Sequence, residues 1–126
     1  MYEELYRRIF QRIDSLMKKE KLFLDYEINL VKLARMVGTN RTYASRAICM
    51  KYKNLKEYLN KLRLDNLFYE FESDNMGILC DDPDDFANKY GFRTRRSLDR
   101  VLNREKGCTY STIMHKKKSL SEDFTD

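Results

Sequence analysis

An all-α fold is predicted by three observations. Apolar residues recur at intervals of three and four along most of the chain, which is the period of one helix face. Capping residues stand just before these runs and glycines just after them. One block of this pattern occurs twice. With 126 residues, 42% of them hydrophobic and 13% aromatic, the chain suffices for one domain, or for two half-sized helical units sharing a linker helix.

The first element runs from Tyr2 to about Lys19, where Tyr2, Leu5, Ile9, Ile13 and Leu16 form an apolar stripe and Glu3, Arg7, Arg12 and Lys18 lie elsewhere. Lys21 to Glu27, with the run Leu22, Phe23, Leu24, reads as an extended connection. Asn29 is placed to cap a helix carrying Leu30, Leu33, Ala34 and Val37, which Gly38 ends. Thr39 is then expected to cap a second helix. In it Ala44, Ala47 and Ile48 face inward, while Asn40, Arg41, Thr42, Ser45, Arg46 and Cys49 lie on the other side. A short helix, a glycine turn and a polar-faced second helix make the helix-turn-helix pattern.

A longer helix is predicted from Leu55 to Phe71, with Leu55, Tyr58, Leu59, Leu62, Leu67 and Phe71 on its apolar side and Asn75 to Gly77 breaking it. At ~1.5 Å per residue it can separate flanking units by roughly 25 Å. The first block then returns. Asp82 before Pro83 starts a helix, with Asp85 at capping-box spacing, and Phe86, Ala87 and Tyr90 are its buried face. Gly91 ends it, and Thr94 caps the next helix, in which Leu98, Val101 and Leu102 point inward and Arg95, Arg96, Ser97, Asp99, Arg100 and Asn103 outward. Ala34, Gly38 and Arg46 are mirrored by Ala87, Gly91 and Arg100, with one extra residue in the second turn. An internal duplication is the most economical account. The expected layout is an N-terminal helix and first helix-turn-helix over 1–54, a linker helix over 55–74, a second helix-turn-helix over 75–118 and a frayed tail over 119–126.

The net charge of +5 understates how sign is distributed. Arg41, Arg46, Lys51, Lys53, Lys56, Lys61 and Arg63 form one basic stretch, and Arg93, Arg95, Arg96, Arg100, Arg104 and Lys106 a second. Between them Glu70, Glu72, Asp74, Asp81, Asp82, Asp84 and Asp85 cancel much of the total. Phosphate binding responds to local potential within roughly 8 to 10 Å in ordinary salt, so two basic faces point to a polyanion. A helix beyond a tight turn can enter the major groove, where arginine suits guanine, asparagine suits adenine, and threonine or serine serve a base edge or a phosphate. Asp99 among the arginines can neutralise Arg95, accept from a cytosine amino group, or weaken binding.

Other chemistries find little support. Cys49, Cys80 and Cys108 are odd in number and far apart, without disulfide or zinc spacing, which fits a reducing cytoplasm. His115, the single histidine, stands beside Lys116 to Lys118 and lacks the third group and oxyanion site of a hydrolase, so no catalysis is expected. The Asp81 to Asp85 cluster lacks calcium-loop spacing and its glycine, and helix capping explains it better. No cofactor and no metal are expected. No run approaches the ~18 apolar residues of a membrane span, so no membrane contact is expected either.

The segments Leu33-Ala34-x-x-x-Gly38-Thr39-Asn40-Arg41-Thr42-Tyr43-x-Ser45-Arg46, Tyr58-Leu59-x-x-x-Arg63-Leu64, and Phe86-Ala87-x-x-x-Gly91-Phe92 with Leu98-x-Arg100 resemble the AraC/XylS family of bacterial transcription regulators. The likeness covers about Tyr26 to His115, with its three blocks in order. It implies two homeodomain-like three-helical units joined by one helix, whose recognition helices address successive major grooves of double-stranded DNA. The implied DNA-binding positions are Asn40, Arg41, Thr42, Ser45 and Arg46 in the first unit and Thr94, Arg95, Arg96, Ser97, Asp99 and Arg100 in the second. The glycine usual after the first recognition helix is absent and that connection is shortened near Tyr52 and Lys53, Ala44 replaces a common leucine, Leu98 and Leu102 replace common phenylalanines, and Tyr110 stands where the family usually has proline; these departures mostly concern packing. RNA polymerase, and a sensor or helical-repeat region of a longer chain, are the further partners the resemblance implies. The alternative is an interaction module that keeps the fold and binds an acidic protein or its own sensor domain.

Overall fold

The computed structural model describes residues 2–73 and 82–123, the side chains of 117–123 excepted. Its seven α-helices, with no strand among the described residues, are α1 (Glu3–Lys19), α2 (Leu30–Met36), α3 (Arg41–Ile48), α4 (Leu55–Glu72), α5 (Pro83–Lys89), α6 (Arg95–Lys106) and α7 (Tyr110–Asp123), with a short 3-10 turn at Leu22–Leu24. The all-α expectation holds. The chain divides into two compact units, Met1–Arg63 and Leu64–Asp126, and the division falls inside α4, within the stretch expected to link two halves.

In the first unit α1 packs against α3, and α3 against α2. The buried face of α1 differs from the expected stripe. Ile9 and Ile13 are buried as expected, but their companions are Phe10 and Met17, while Tyr2 and Leu5 are exposed. The two faces share a backbone and differ by one residue of rotation, and tertiary partners decide between them. Phe10 meets the rings of Tyr52 and Tyr58 at 6.3 and 5.5 Å, burying more apolar surface than Leu5 offers.

The connection after α1 is also not extended. Lys21 adopts a left-handed conformation (φ 51°), and the amides of Leu24 and Asp25 donate to the carbonyls of Lys21 and Leu22. This hook drops Phe23 into the core. Arg63 of α4 fastens it, its Nε donating to the Phe23 carbonyl at 2.6 Å and its Nη2 to that of Asp25 at 3.1 Å. Burial pushes this guanidinium down to about 10, partly offset by Asp25. Hydrogen bonding to carbonyls is what makes a buried cation tolerable here.

The turns after α2 and α5 match hydrogen bond for hydrogen bond. The amides of Gly38 and Thr39 donate to the carbonyls of Arg35 and Ala34, and those of Gly91 and Phe92 to the carbonyls of Asn88 and Ala87. Both glycines have positive φ, 76° and 92°, as this helix-ending motif requires. The caps that follow differ from expectation in one place: Asn40, not Thr39, caps α3, its Oδ1 accepting from the Tyr43 amide at 2.8 Å. Thr39 stands one residue earlier, its amide closing the turn on the Ala34 carbonyl. Asn29 and Thr94 cap α2 and α6 as expected. Asp82 caps α5 with Pro83 behind it, but accepts from the Asp84 amide rather than forming a box with Asp85.

The second unit builds its core from Leu64, Leu67, Phe86, Ala87, Tyr90, Phe92, Leu98, Val101, Leu102, Tyr110 and Ile113. α4 therefore serves two cores: Tyr58 and Leu59 belong to the first, Leu64 and Leu67 to the second. α7 continues through Asp123, past the point where a tail was expected. The break at Asn75 to Gly77, Asp74, Cys80, Asp81 and the last residues, 124–126, lie outside the described residues. No helix among the described residues is long and apolar enough to cross a membrane.

Candidate nucleic-acid interface

α3 turns Ala44, Ala47 and Ile48 into the core, which leaves its other side outward by helical geometry. Arg41 and Thr42 are exposed on its first turn, Ser45 is half-buried and Arg46 is exposed. Asn40 is exposed, yet its side-chain oxygen is engaged in the cap. Arg46 donates from Nη1 to the hydroxyl of Tyr6 on α1 at 3.1 Å. That hydrogen bond is the main reason its pKa stands above the ordinary arginine value, followed by the charge interaction with the same tyrosine.

α6 buries Leu98, Val101 and Leu102, leaving Arg96 and Arg100 exposed. Neither side chain makes a hydrogen bond or ion pair with another described residue. The other expected site residues on this helix are tied down. Thr94 Oγ1 accepts from the Ser97 amide, and the two hydroxyls lie 3.1 Å apart. Arg95 pairs with Asp99 at 3.4 Å, donates to Ser111 Oγ at 2.8 Å and lies over the Tyr110 ring at 5.4 Å. Asp99 uses its other oxygen to accept from the Tyr110 amide at 2.8 Å, at the start of α7. Arg95 and Asp99 thus clamp α6 to α7.

Asp84 adds a further constraint, its carboxylate accepting from the Arg95 amide at 2.7 Å. Two acidic residues at the beginning of α5 are therefore used at helix starts: its cap Asp82 for α5 itself and Asp84, in its first turn, for α6. Anions there complement the helix dipole.

The structure brings Arg41, Thr42, Ser45 and Arg46 to one face of α3, and Arg96 and Arg100 to the free face of α6. It withdraws part or all of the polar capacity of Asn40, Thr94, Arg95, Ser97 and Asp99. Sequence reasoning missed Tyr6, Ser111 and Asp84, which touch expected site residues from other elements. Only Asp84 had a local signal, its place beside a helix start; Tyr6 meets Arg46 across forty positions, beyond any periodicity. No family model matches the chain, and neither curated proteins nor solved structures yield a match to it.

Proposed function

We propose that this chain binds double-stranded DNA sequence-specifically as part of a transcription regulator, with α3 and α6 as the recognition helices of two helix-turn-helix units joined through α4. The observation that carries the reading is the repeated arrangement: two glycine turns with the same hydrogen bonds, each followed by a capped helix with exposed arginines. A single charged helix face is ordinary on a soluble protein; two faces built by the same turn are better explained by a common ligand with a repeating anionic surface. The resemblance to AraC/XylS regulators supports the same reading.

In this account Arg41, Thr42, Ser45 and Arg46 face one major groove and Arg96 and Arg100 another. Arginine offers a bidentate donor pair to guanine, and Lys51, Lys53 and Lys56 supply phosphate contacts that position without specifying. Arg95 and Asp99 are assigned to holding α6, so base reading in the second unit rests on its two free arginines. Arg46→Ala and Arg96→Ala should each weaken binding to the selected site by roughly 5- to 100-fold while leaving thermal unfolding nearly unchanged. Undiminished affinity of both variants would remove these side chains from the interface.

A second reading is favoured by a groove on the first unit, lined by Arg8, Arg12, Lys19, Leu16, Met36 and Val37. Three cations beside Leu16, Met36 and Val37, with Gln11 and Ser15 also in the lining, suit an acidic protein segment. Preference for one duplex sequence over random duplex, lost in the arginine variants, separates DNA reading from this alternative.

A further inference from the structure

We infer that Tyr6 of α1 is a positioning residue for Arg46, so that the first helix helps set the base preference of α3. The inference rests on the DNA-binding reading above and names a residue that the helix-turn-helix pattern does not contain.

Three contacts converge on this point. The Tyr6 hydroxyl accepts from Arg46 Nη1 at 3.1 Å. Its ring meets Tyr43 edge-on at 5.8 Å, and Tyr43 lies one helical turn before Arg46, so both contacts fall on the same side of α3. Tyr6 also stacks with Tyr2 at 6.1 Å and 21° between planes. The tyrosine itself is anchored, because Ile9 and Phe10, three and four residues on, are buried in the first core.

The chemistry of the partner matters. An arginine held by a carboxylate has its charge matched and its donors drawn away from a ligand, as Arg95 does with Asp99. A neutral phenol acceptor occupies one of five N–H groups and leaves the charge and the remaining donors available. It also removes rotamer freedom from a long side chain before the ligand arrives, and that preorganisation favours binding. Arg46 thus stands oriented and still cationic on the outward face of α3. The aromatic ladder Tyr2, Tyr6, Tyr43 links the start of α1 to the same spot.

Tyr6→Phe removes the hydroxyl and keeps the ring against Tyr43, so the fold should be unaffected. On the duplex selected by the wild-type chain, affinity should fall by ~3- to 10-fold, the range one hydrogen bond supports. Discrimination should relax at the base pair read by Arg46 and at no other. In an Arg46→Ala background Tyr6→Phe should have no further effect, since the group it positions is gone.

If Arg46→Ala weakens binding but Tyr6→Phe retains full affinity and full discrimination, the positioning role is wrong and the DNA-binding reading stands. Additive losses in the double variant, or a lowered unfolding temperature for Tyr6→Phe with unchanged base preference, likewise overturn it in favour of a packing role. If Arg46→Ala itself binds as the wild type does, the reading of α3 fails and this inference fails with it.

Discussion

Two arginines next to each other in sequence, Arg95 and Arg96, have different duties because neighbours of different kinds surround them. Arg95 lies over Tyr110, pairs with Asp99 and donates to Ser111, whereas Arg96 is exposed with no such partner among the described residues. Alanine at Arg96 and at Asp99 should separate these roles: Arg96→Ala loses DNA affinity and keeps its unfolding temperature, while Asp99→Ala loses the acceptor of the Tyr110 amide at the α7 start together with the Arg95 pair and should cost about 1 to 2 kcal/mol of stability in chemical denaturation. That a polar residue on an outward helix face could be a cap for the next helix was not legible in the sequence, since the acceptor and the Tyr110 amide are eleven positions apart. Tyr58 shows the same limit in the first unit. Its apolar-face placement was readable; its hydroxyl donating to Asp14 Oδ1 at 2.7 Å across the core was not. Burial first, then this hydrogen bond, raise the Tyr58 pKa above its ordinary value of 10.0. The folded chain therefore holds that proton more tightly than the unfolded chain, so the contribution is whole below about pH 10 and is lost as pH rises further. Tyr58→Phe should be less stable than wild type by about 1 kcal/mol at neutral pH, and the gap should narrow above pH 10; a gap that widens with alkalinity would contradict the assignment.

Helix boundaries were the most legible feature at the scale of elements, because they depend on neighbours a few residues apart. The glycines that end α2 and α5, and the caps Asn29, Asp82 and Thr94, stand where local rules put them. The Asn40 cap shows where such rules tie: Thr39 and Asn40 are both good caps, and the helix starts one residue later than Thr39 would place it, with the Thr39 amide closing the turn on the Ala34 carbonyl and Asn40 Oδ1 accepting from the Tyr43 amide. Asn40→Ala should therefore destabilise the first unit by about 1 kcal/mol, and Thr39→Ala by much less, as measured by denaturant midpoints. Gly38 has open space where a side chain would begin, so Gly38→Ala should cost only the strain of φ near 76°, about 1 kcal/mol. The α1 face was misread for a related reason. Leu5 and Leu16 fit the period as well as Phe10 and Met17 do, and only the aromatic rings of Tyr52 and Tyr58 select between them.

Charge and repetition are properties of the whole molecule, and both were visible in composition and order. The net charge of +5 arises from two basic stretches separated by acids, and part of that acidic segment is now accounted for by helix starts at Asp82 and Asp84. The exposed arginines on the free faces of α3 and α6, Arg41, Arg46, Arg96 and Arg100, form no ion pair with another described residue, which leaves their charge open to a polyanion. DNA affinity should consequently fall steeply with salt, log affinity declining against log salt with a slope of roughly −0.9 for each phosphate contact, and Lys53→Ala or Lys56→Ala should flatten that slope by about one without altering which sequence is preferred. The measurement that tests the central proposal most directly is selection of bound sequences from a random duplex library, followed by titration of the winner and of its scramble at two salt concentrations. An enriched motif with two half-sites about one helical turn apart, bound far more tightly than the scramble, is the expected result; no enrichment, with equal and weak binding to both duplexes, would contradict the proposal that α3 and α6 read DNA.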